Sequence, residues 1–306
     1  MLKNMKIGAQ IILVTFSLVI ITILGLSLTS NYFFSGYAEK VALEGANLGN
    51  DLLRDFIEAE KLKVREFRNQ LAINEMLVRH VINKDTESLN TDLFALMQAA
   101  GIDILVVADA DGTVLSRPHD PERRGDSIAN DENVKMALSG QTWDMLMSAP
   151  STRLGYYSGA PIKMGNGRII GMFRAAVSLE KESIVDRIKA LCHNEVTLFA
   201  GKTRKSTTIM EDGKRVINTD ASESVAQAVL QEGKDLELSL RLFGKEYFAV
   251  YRPLRDLDSG EIMGMYFSGK STEESKQAIR STIMGIAGVS VVVFVIAFIE
   301  IGRAHV

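Results

Sequence analysis

Ile104-Leu105-Val106-Val107-Ala108-Asp109-Ala110-Asp111-Gly112 reads as an apolar strand running into a tight turn, and Val196-Thr197-Leu198-Phe199 answers it 92 residues later. The Asp109/Asp111 pair ahead of Gly112 is turn chemistry. The interval recurs. Leu138 and Leu230 close two short helical runs, and Ala160-Pro161-Ile162 matches Arg252-Pro253-Leu254, each again at an offset of 92. Ile170-Gly171-Met172 matches Met263-Gly264-Met265 at 93. Four landmarks in one order at nearly constant spacing predict two copies of one module of roughly 90 residues.

Each copy has one plan. A strand leads through a turn or loop into a short helix, begun by Asn130 or Ser222 and stopped by Gly140 or Gly233. Three more strands follow, the last two joined by a tight turn. That turn is Gly165-Asn166-Gly167 in the first copy and Asp256-Leu257-Asp258-Ser259-Gly260 in the second. Antiparallel strands with helices packed against them give an α+β fold. A helix over residues 180–191 links the copies, and another over 272–280 follows them.

Upstream, apolar residues recur at helical spacing over residues 37–82, among them Val41, Leu48, Leu52, Phe56, Val64, Phe67 and Leu71. Such a helix would be ~65–70 Å long. It must lean on something along its length, which predicts a parallel homodimer with Leu48, Leu52 and Phe56 near the contact. A shorter helix, 86–100, ends at Gly101.

Two apolar segments without charge, 11–28 and 283–299, bracket the modules. A membrane-crossing helix needs roughly 17 to 25 residues. Lys3 and Lys6 precede the first segment with no acidic residue, which marks the cytoplasmic flank and places the middle of the chain outside. The alternative is a cleaved signal peptide, but Leu28-Thr29-Ser30-Asn31-Tyr32 is a poor cleavage site. Net charge is −3, so no basic surface invites nucleic acid. The single cysteine, Cys192, excludes an internal disulfide. No hydrolase elbow, phosphate loop, zinc-protease motif or metal-spaced cluster occurs, so the expectation is a protein that is not an enzyme, with neither metal nor cofactor.

The pattern resembles the double Cache sensor regions of bacterial transmembrane receptors. The residues that carry it are Val107 to Pro121, Gly125-Asp126-Ser127-Ile128, Ser158-Gly159-Ala160-Pro161-Ile162, Glu195 to Arg204, and Tyr251-Arg252-Pro253-Leu254. The resemblance implies tandem PAS-like modules between two membrane helices, preceded by a long helix, in a methyl-accepting chemotaxis protein or, second, a sensor histidine kinase. It also implies a ligand in the membrane-distal module. The expected organisation is a cytoplasmic N-terminus (1–10), a first transmembrane helix (11–30) and long extracytoplasmic helices (31–100). A distal module (101–180), a proximal module (181–271), a linker helix (272–282) and a second transmembrane helix (283–299) follow, in a two-pass inner (plasma) membrane protein. The tail 300–306, Glu-Ile-Gly-Arg-Ala-His-Val, reads like translated sequencing adapter, so a missing cytoplasmic output domain is expected. A membrane-tethered binding protein is the alternative, and a stop codon after position 299 would favour it.

For the ligand, Arg117 and His119, with Arg123 and Arg124, lie in or near the loop after the second strand. Arg153 opens the strand of Tyr156 and Tyr157, and Lys163 follows Pro161. Together they predict a cationic pocket with aromatic walls, suited to a small carboxylate. The resemblance gives Arg117 and His119 the place of a loop cation that contacts ligand. It puts Tyr157 where carboxylate-sensing relatives carry an arginine, with Arg153 four residues earlier. Alternation sends one of the two tyrosines inward and the other outward.

Overall fold

The computed structural model describes residues 7–149, 152–256 and 259–303. By internal contacts the chain divides into two units: Met1–Gly45 with Leu238–Ala249 and Lys270–Val306, and Ala46–Glu237 with Val250–Gly269.

The first apolar segment and the amphipathic stretch after it form one helix, α1 (Ile7–Ala72), of 66 residues. It ends ahead of the expected residue 82 because Asn74 starts a new helix. The Asn74 Oδ1 accepts the N–H groups of Met76 at 2.9 Å and Leu77 at 3.2 Å, capping α2 (Glu75–Asn83). A short polar side chain that bonds its own backbone competes with helix continuation, and Asn-Glu ahead of an apolar run was the readable signal. Asp85 caps α3 (Thr86–Ala100) through Ser88 N–H at 3.1 Å, and hydrogen bonds from the Ser88 hydroxyl and N–H hold its carboxyl below the usual range. Gly101 closes α3 at φ 65, as its place in the sequence predicts.

The first sheet comprises β1 (Ile104–Asp109), β2 (Val114–Ser116), β3 (Trp143–Ala149), β4 (Thr152–Lys163) and β5 (Ile169–Ser178), with α4 (Glu132–Leu138) between β2 and β3. The helix begins one residue later than expected, at an Asp131 N-cap. After α5 (Glu182–Cys192) come β6 (Glu195–Ala200), β7 (Thr203–Thr207) and a hairpin of β8 (Met210–Glu211) and β9 (Lys214–Arg215). That hairpin was not anticipated, although Asp212-Gly213 is a hairpin signal. The Ser222-capped α6 (Glu223–Ala226) continues into a π-helical turn at Gln227–Gln231. Strands β10 (Leu236–Leu242), β11 (Lys245–Arg255) and β12 (Ile262–Ser271) lead into α7 (Glu273–Arg303). The expected turn at 256–260 lies partly outside the described residues, and so does the tail beyond 303.

The two sheets have the same strand order: β2-β1-β5-β4-β3 in the first and, read in the same direction, β7-β6-β12-β11-β10 in the second. The matched glycines have matched jobs. Gly171 faces Asp109 across β1 and Gly264 faces Ala200 across β6. A Cβ on either would run into a partner-strand carbonyl, that of Ala108 or of Phe199.

Both faces of the first sheet are covered. Val64, Phe67 and Leu71 of α1, with Leu77, Leu89, Leu93 and Met97, pack on Leu105, Val107, Tyr156 and Phe173. On the opposite face Val134 and Ala137 of α4 pack with Val106, Ala108, Trp143, Tyr157 and Met172. A third cluster joins Leu53 and Ile57 of α1 to Ile184, Val185 and Ile188 of α5, and to Val196, Leu198, Leu254 and Tyr266. Leu52 and Phe56, expected at a dimer contact, pack against this cluster, whereas Leu48 is exposed. Among the described residues one helix is long and apolar enough to cross a membrane, from Val14 along α1; α7 carries a shorter apolar stretch, Arg280–Val293.

Candidate ligand-binding site

The expected site residues are scattered. Arg117, 5 % exposed, forks onto Asp126 at 2.5 and 2.9 Å and donates to the Arg123 carbonyl at 2.6 Å. The guanidinium holds the Asp126 carboxyl below its ordinary range. His119 lies at the surface, but its Nδ1 accepts Leu105 N–H at 3.3 Å. Burial of that ring edge lowers its pKa, and an accepting Nδ1 suits the neutral imidazole. These two residues stitch their own loop to the sheet. Arg123 and Arg124 are exposed, with Arg124 donating to Thr86 Oγ1 at 3.2 Å. Lys163 is exposed at a bulge ending β4. Arg153 belongs to β4, but its side chain lies outside the described residues.

Tyr156 and Tyr157 do face opposite sides, yet both are 3 % exposed, because helices cover both faces. A single pocket on one face cannot take both rings.

The α4 face has the features of a site. Trp143, Gly159, Arg174 and Val106 form one row across four adjacent strands. The Trp143 indole lies over Gly159, where any Cβ would collide with it. Met145, Tyr157 and Ala176 form the next row. From α4, the Asn133 Nδ2 approaches the Met147 sulfur at 3.7 Å. Asn133 and Trp143 are 6 % and 4 % exposed, and neither Asn133 Oδ1 nor Trp143 Nε1 has a hydrogen-bond partner. Leaving such a buried group unsatisfied costs about 1–3 kcal/mol. One acceptor and one donor therefore stand unmet on one apolar face. At its edge Arg174 Nη1 meets Asp131 Oδ2 at 3.2 Å, placing a cation and an anion side by side. None of Asn133, Trp143, Asp131 or Arg174 was singled out from the sequence. The available signals were the chain's single tryptophan and the small-large alternation of Gly155, Tyr157 and Gly159.

The helix face of the same strands is a lock. Asp144 accepts from Arg65 Nε at 3.0 Å, Arg68 Nη1 at 2.9 Å and Ser158 Oγ at 2.6 Å. Lys61 sits 5.4 Å from the centroid of the Tyr156 ring. Three cations spaced along α1 thus meet β3 and β4.

In the second sheet the place corresponding to Gly159, 92 residues on, is Tyr251. Its ring packs against Phe267 at 4.9 Å and Phe199 at 6.2 Å, and burial pushes its pKa up to about 12. Arg204, 4 % exposed, lies 5.2 Å from the centroid of the Phe199 ring and donates to Thr219 Oγ1; burial lowers its pKa. Arg252 pairs with Asp51 at 2.7 Å and Asp235 at 3.1 Å.

Residues 177–282, from the end of β5 into α7, match the family described as single Cache domain 3. Over those residues the chain is similar to a Cache sensor domain. No curated protein matches the chain. Among solved structures, the sensory domain of the Campylobacter jejuni chemoreceptor Tlp3 superposes with a TM-score of 0.52 at 13 % identity, covering 81 % of this chain and 99 % of that one. The ligand-binding domain of Tlp3 in complex with L-valine gives 0.50 at 15 % identity, over 81 % and 98 %. The sensor domain of the Vibrio cholerae histidine kinase DctB gives 0.48 at 12 %, over 73 % and 94 %. At these identities the Tlp3 likeness is one of fold. The matched segment contains the whole second sheet and, of the first, only Val177 and Ser178 at the end of β5, so the Cache likeness rests most directly on the second sheet.

Proposed function

We propose that this chain is the extracytoplasmic sensing part of a two-pass transmembrane signalling receptor, with one Cache module on each sheet and a small carboxylate ligand held on the α4 face of the first. Chemotaxis is the output that the Tlp3 likeness favours. The observation that carries the site is the pair of buried, unpartnered polar atoms on that face, Asn133 Oδ1 and Trp143 Nε1. A ligand with a donor and an acceptor satisfies both. Arg174 and Asp131 offer the complement of a zwitterion: carboxylate to the guanidinium, ammonium to the aspartate. An amino acid is therefore the first ligand to test, and Tlp3 with L-valine is a precedent in the same fold. Arg153, beside the α4-face rows on β4, is a further candidate. Arg117 and His119 support the site by holding its loop.

The topology reading joins residues 11–30 in α1 and 283–299 in α7 as membrane spans, with Lys3 and Lys6 inside. Dimerisation through α1 is carried by exposed Val41, Leu48 and Leu62, at 45, 50 and 56 % exposure, spaced by seven and then fourteen residues.

The test is a thermal-shift screen of the full chain in detergent against L-amino acids and small dicarboxylates, followed by calorimetric titration. A carboxylate ligand should raise Tm, Arg174→Ala should remove the shift, and Arg252→Ala should keep it. A hit that survives Arg174→Ala but not Arg252→Ala moves the site to the second sheet.

A further inference from the structure

Two hairpins of this chain make the same kind of turn from different residues. Between β8 and β9 the turn residues are Asp212 (φ 49) and Gly213 (φ 76); between β10 and β11 they are Phe243 (φ 47) and Gly244 (φ 81). Positive φ at both central positions is the pattern that favours Asn-Gly or Asp-Gly. Aspartate tolerates the left-handed region, whereas a bulky aromatic there is an outlier. Nothing in the turn itself selects Phe243, whose residue is 37 % exposed. Exposed Arg241 and Lys245 flank it, and Arg241 Nε donates to the Gly244 carbonyl at 3.2 Å.

The tip is placed by its neighbours. Glu246, at the start of β11, accepts Thr272 N–H at 3.0 Å through its carbonyl and pairs with Lys276 through its carboxylate. Strand β12 therefore leaves the sheet at the end where the β10–β11 turn lies. From Glu246 to Phe243 is ~10 Å of strand. From Thr272 to residue 283, where the second apolar segment begins, is ~16 Å of helix. The tip thus ends within ~6 Å of that level along the chain's path. In the same unit, directly after residues 11–30, Tyr32, Phe33, Phe34 and Tyr37 are all exposed. Aromatic rings at the ends of spans mark the membrane–water boundary.

We propose that the β10–β11 tip docks on an anionic phospholipid surface, with Phe243 in the boundary between headgroups and acyl chains and Arg241 and Lys245 against the headgroups. This rests on the two-pass reading above. An amphipathic tip of one aromatic and two cations suits that boundary, where apolar contact and headgroup attraction add.

The test places the full chain in liposomes of phosphatidylcholine and phosphatidylglycerol with brominated acyl chains. Trp143, buried in the first sheet, is the common background. Tryptophan is added singly as Phe243→Trp, as Lys245→Trp (just outside the strained turn), as Leu24→Trp in the first apolar segment, or as Glu211→Trp at the other hairpin. Leu24→Trp, Phe243→Trp and Lys245→Trp should lose most of their added emission, and Glu211→Trp should keep it. If Leu24→Trp is quenched while Phe243→Trp and Lys245→Trp match Glu211→Trp, the docking inference is wrong and the membrane reading stands. If Leu24→Trp is not quenched either, the membrane reading fails and takes this inference with it. Omitting phosphatidylglycerol should weaken quenching at Phe243→Trp; unchanged quenching would overturn the role given to Arg241 and Lys245.

Discussion

The two sheets share a strand order but not an interior. On the first, Gly159 leaves its place to the Trp143 indole, and two polar atoms nearby lack partners. On the second, Tyr251 occupies the matching place and packs among Phe199 and Phe267. One scaffold thus supports a face with unmet hydrogen bonds and a face filled by its own rings. Backbone plan and the filling of a face are separable, and the second depends on a few residues of changed size.

The contrast extends to how α1 is held, and there the largest effect is expected. Asp144 is nearly buried between Arg65 and Arg68, whereas Asp51, which pairs with Arg252, is 43 % exposed at its side chain. Asp144→Ala strands the buried Arg68 guanidinium and should cost about 3–5 kcal/mol in denaturant unfolding. Asp51→Ala should cost under ~1 kcal/mol. Equal costs would erase the distinction.

Ligand affinity comes next. Arg174→Ala should weaken a carboxylate ligand by the ~1.5–3 kcal/mol of a charged hydrogen bond, roughly 10- to 150-fold in titration calorimetry. Arg252→Ala should leave affinity unchanged. Arg153→Ala sharpens the comparison: a matching loss would place its side chain at the same ligand.

The two sheets should respond alike where their backbones are alike. Gly171→Ala and Gly264→Ala each press a methyl group against a carbonyl, and each should cost about 1–3 kcal/mol. A large cost in one and none in the other would mean that the equivalence stops at strand order.

The smallest effect is a pH dependence at the loop that follows β2 in the first sheet. Arg117 depresses the Asp126 pKa, so the pair stabilises fully above the ordinary carboxylate value of 3.8 and loses that contribution as pH falls through the lower folded value. The Tm gap between wild type and Asp126→Asn should therefore shrink as the solution is acidified below that range. A gap that widens would refute the assignment.

The repeat was legible because its landmarks are backbone requirements. Gly171 and Gly264 lie against carbonyls, and Gly101, Gly140 and Gly233 all have positive φ. Such needs are local and leave fixed residues at fixed spacing. The candidate site was far less legible. Arg117 and His119 have the right chemistry for a ligand, but a carboxylate nine residues on and a strand N–H take up their polar groups. Which cation is committed to its own loop depends on loop closure, which spacing does not encode. Asn133 looked like an ordinary residue of a short helix; only packing shows its amide oxygen buried without a partner. The end of α1 at Ala72 was readable in Asn74 but was masked by an apolar pattern that keeps its period across the break.

Strand β3 places consecutive residues on consecutive faces. Trp143 belongs to the side with unmet hydrogen bonds, and Asp144 to the side that grips Arg65 and Arg68. One peptide unit, a few ångströms of rigid plane, separates them. On the proposed reading, a load placed on the indole would have only that plane to cross before it met the carboxylate held by two guanidiniums of the helix. The sheet would then be a bulkhead with a handle on each side, so that occupancy of the proposed site on one face could be felt as a tug on the other.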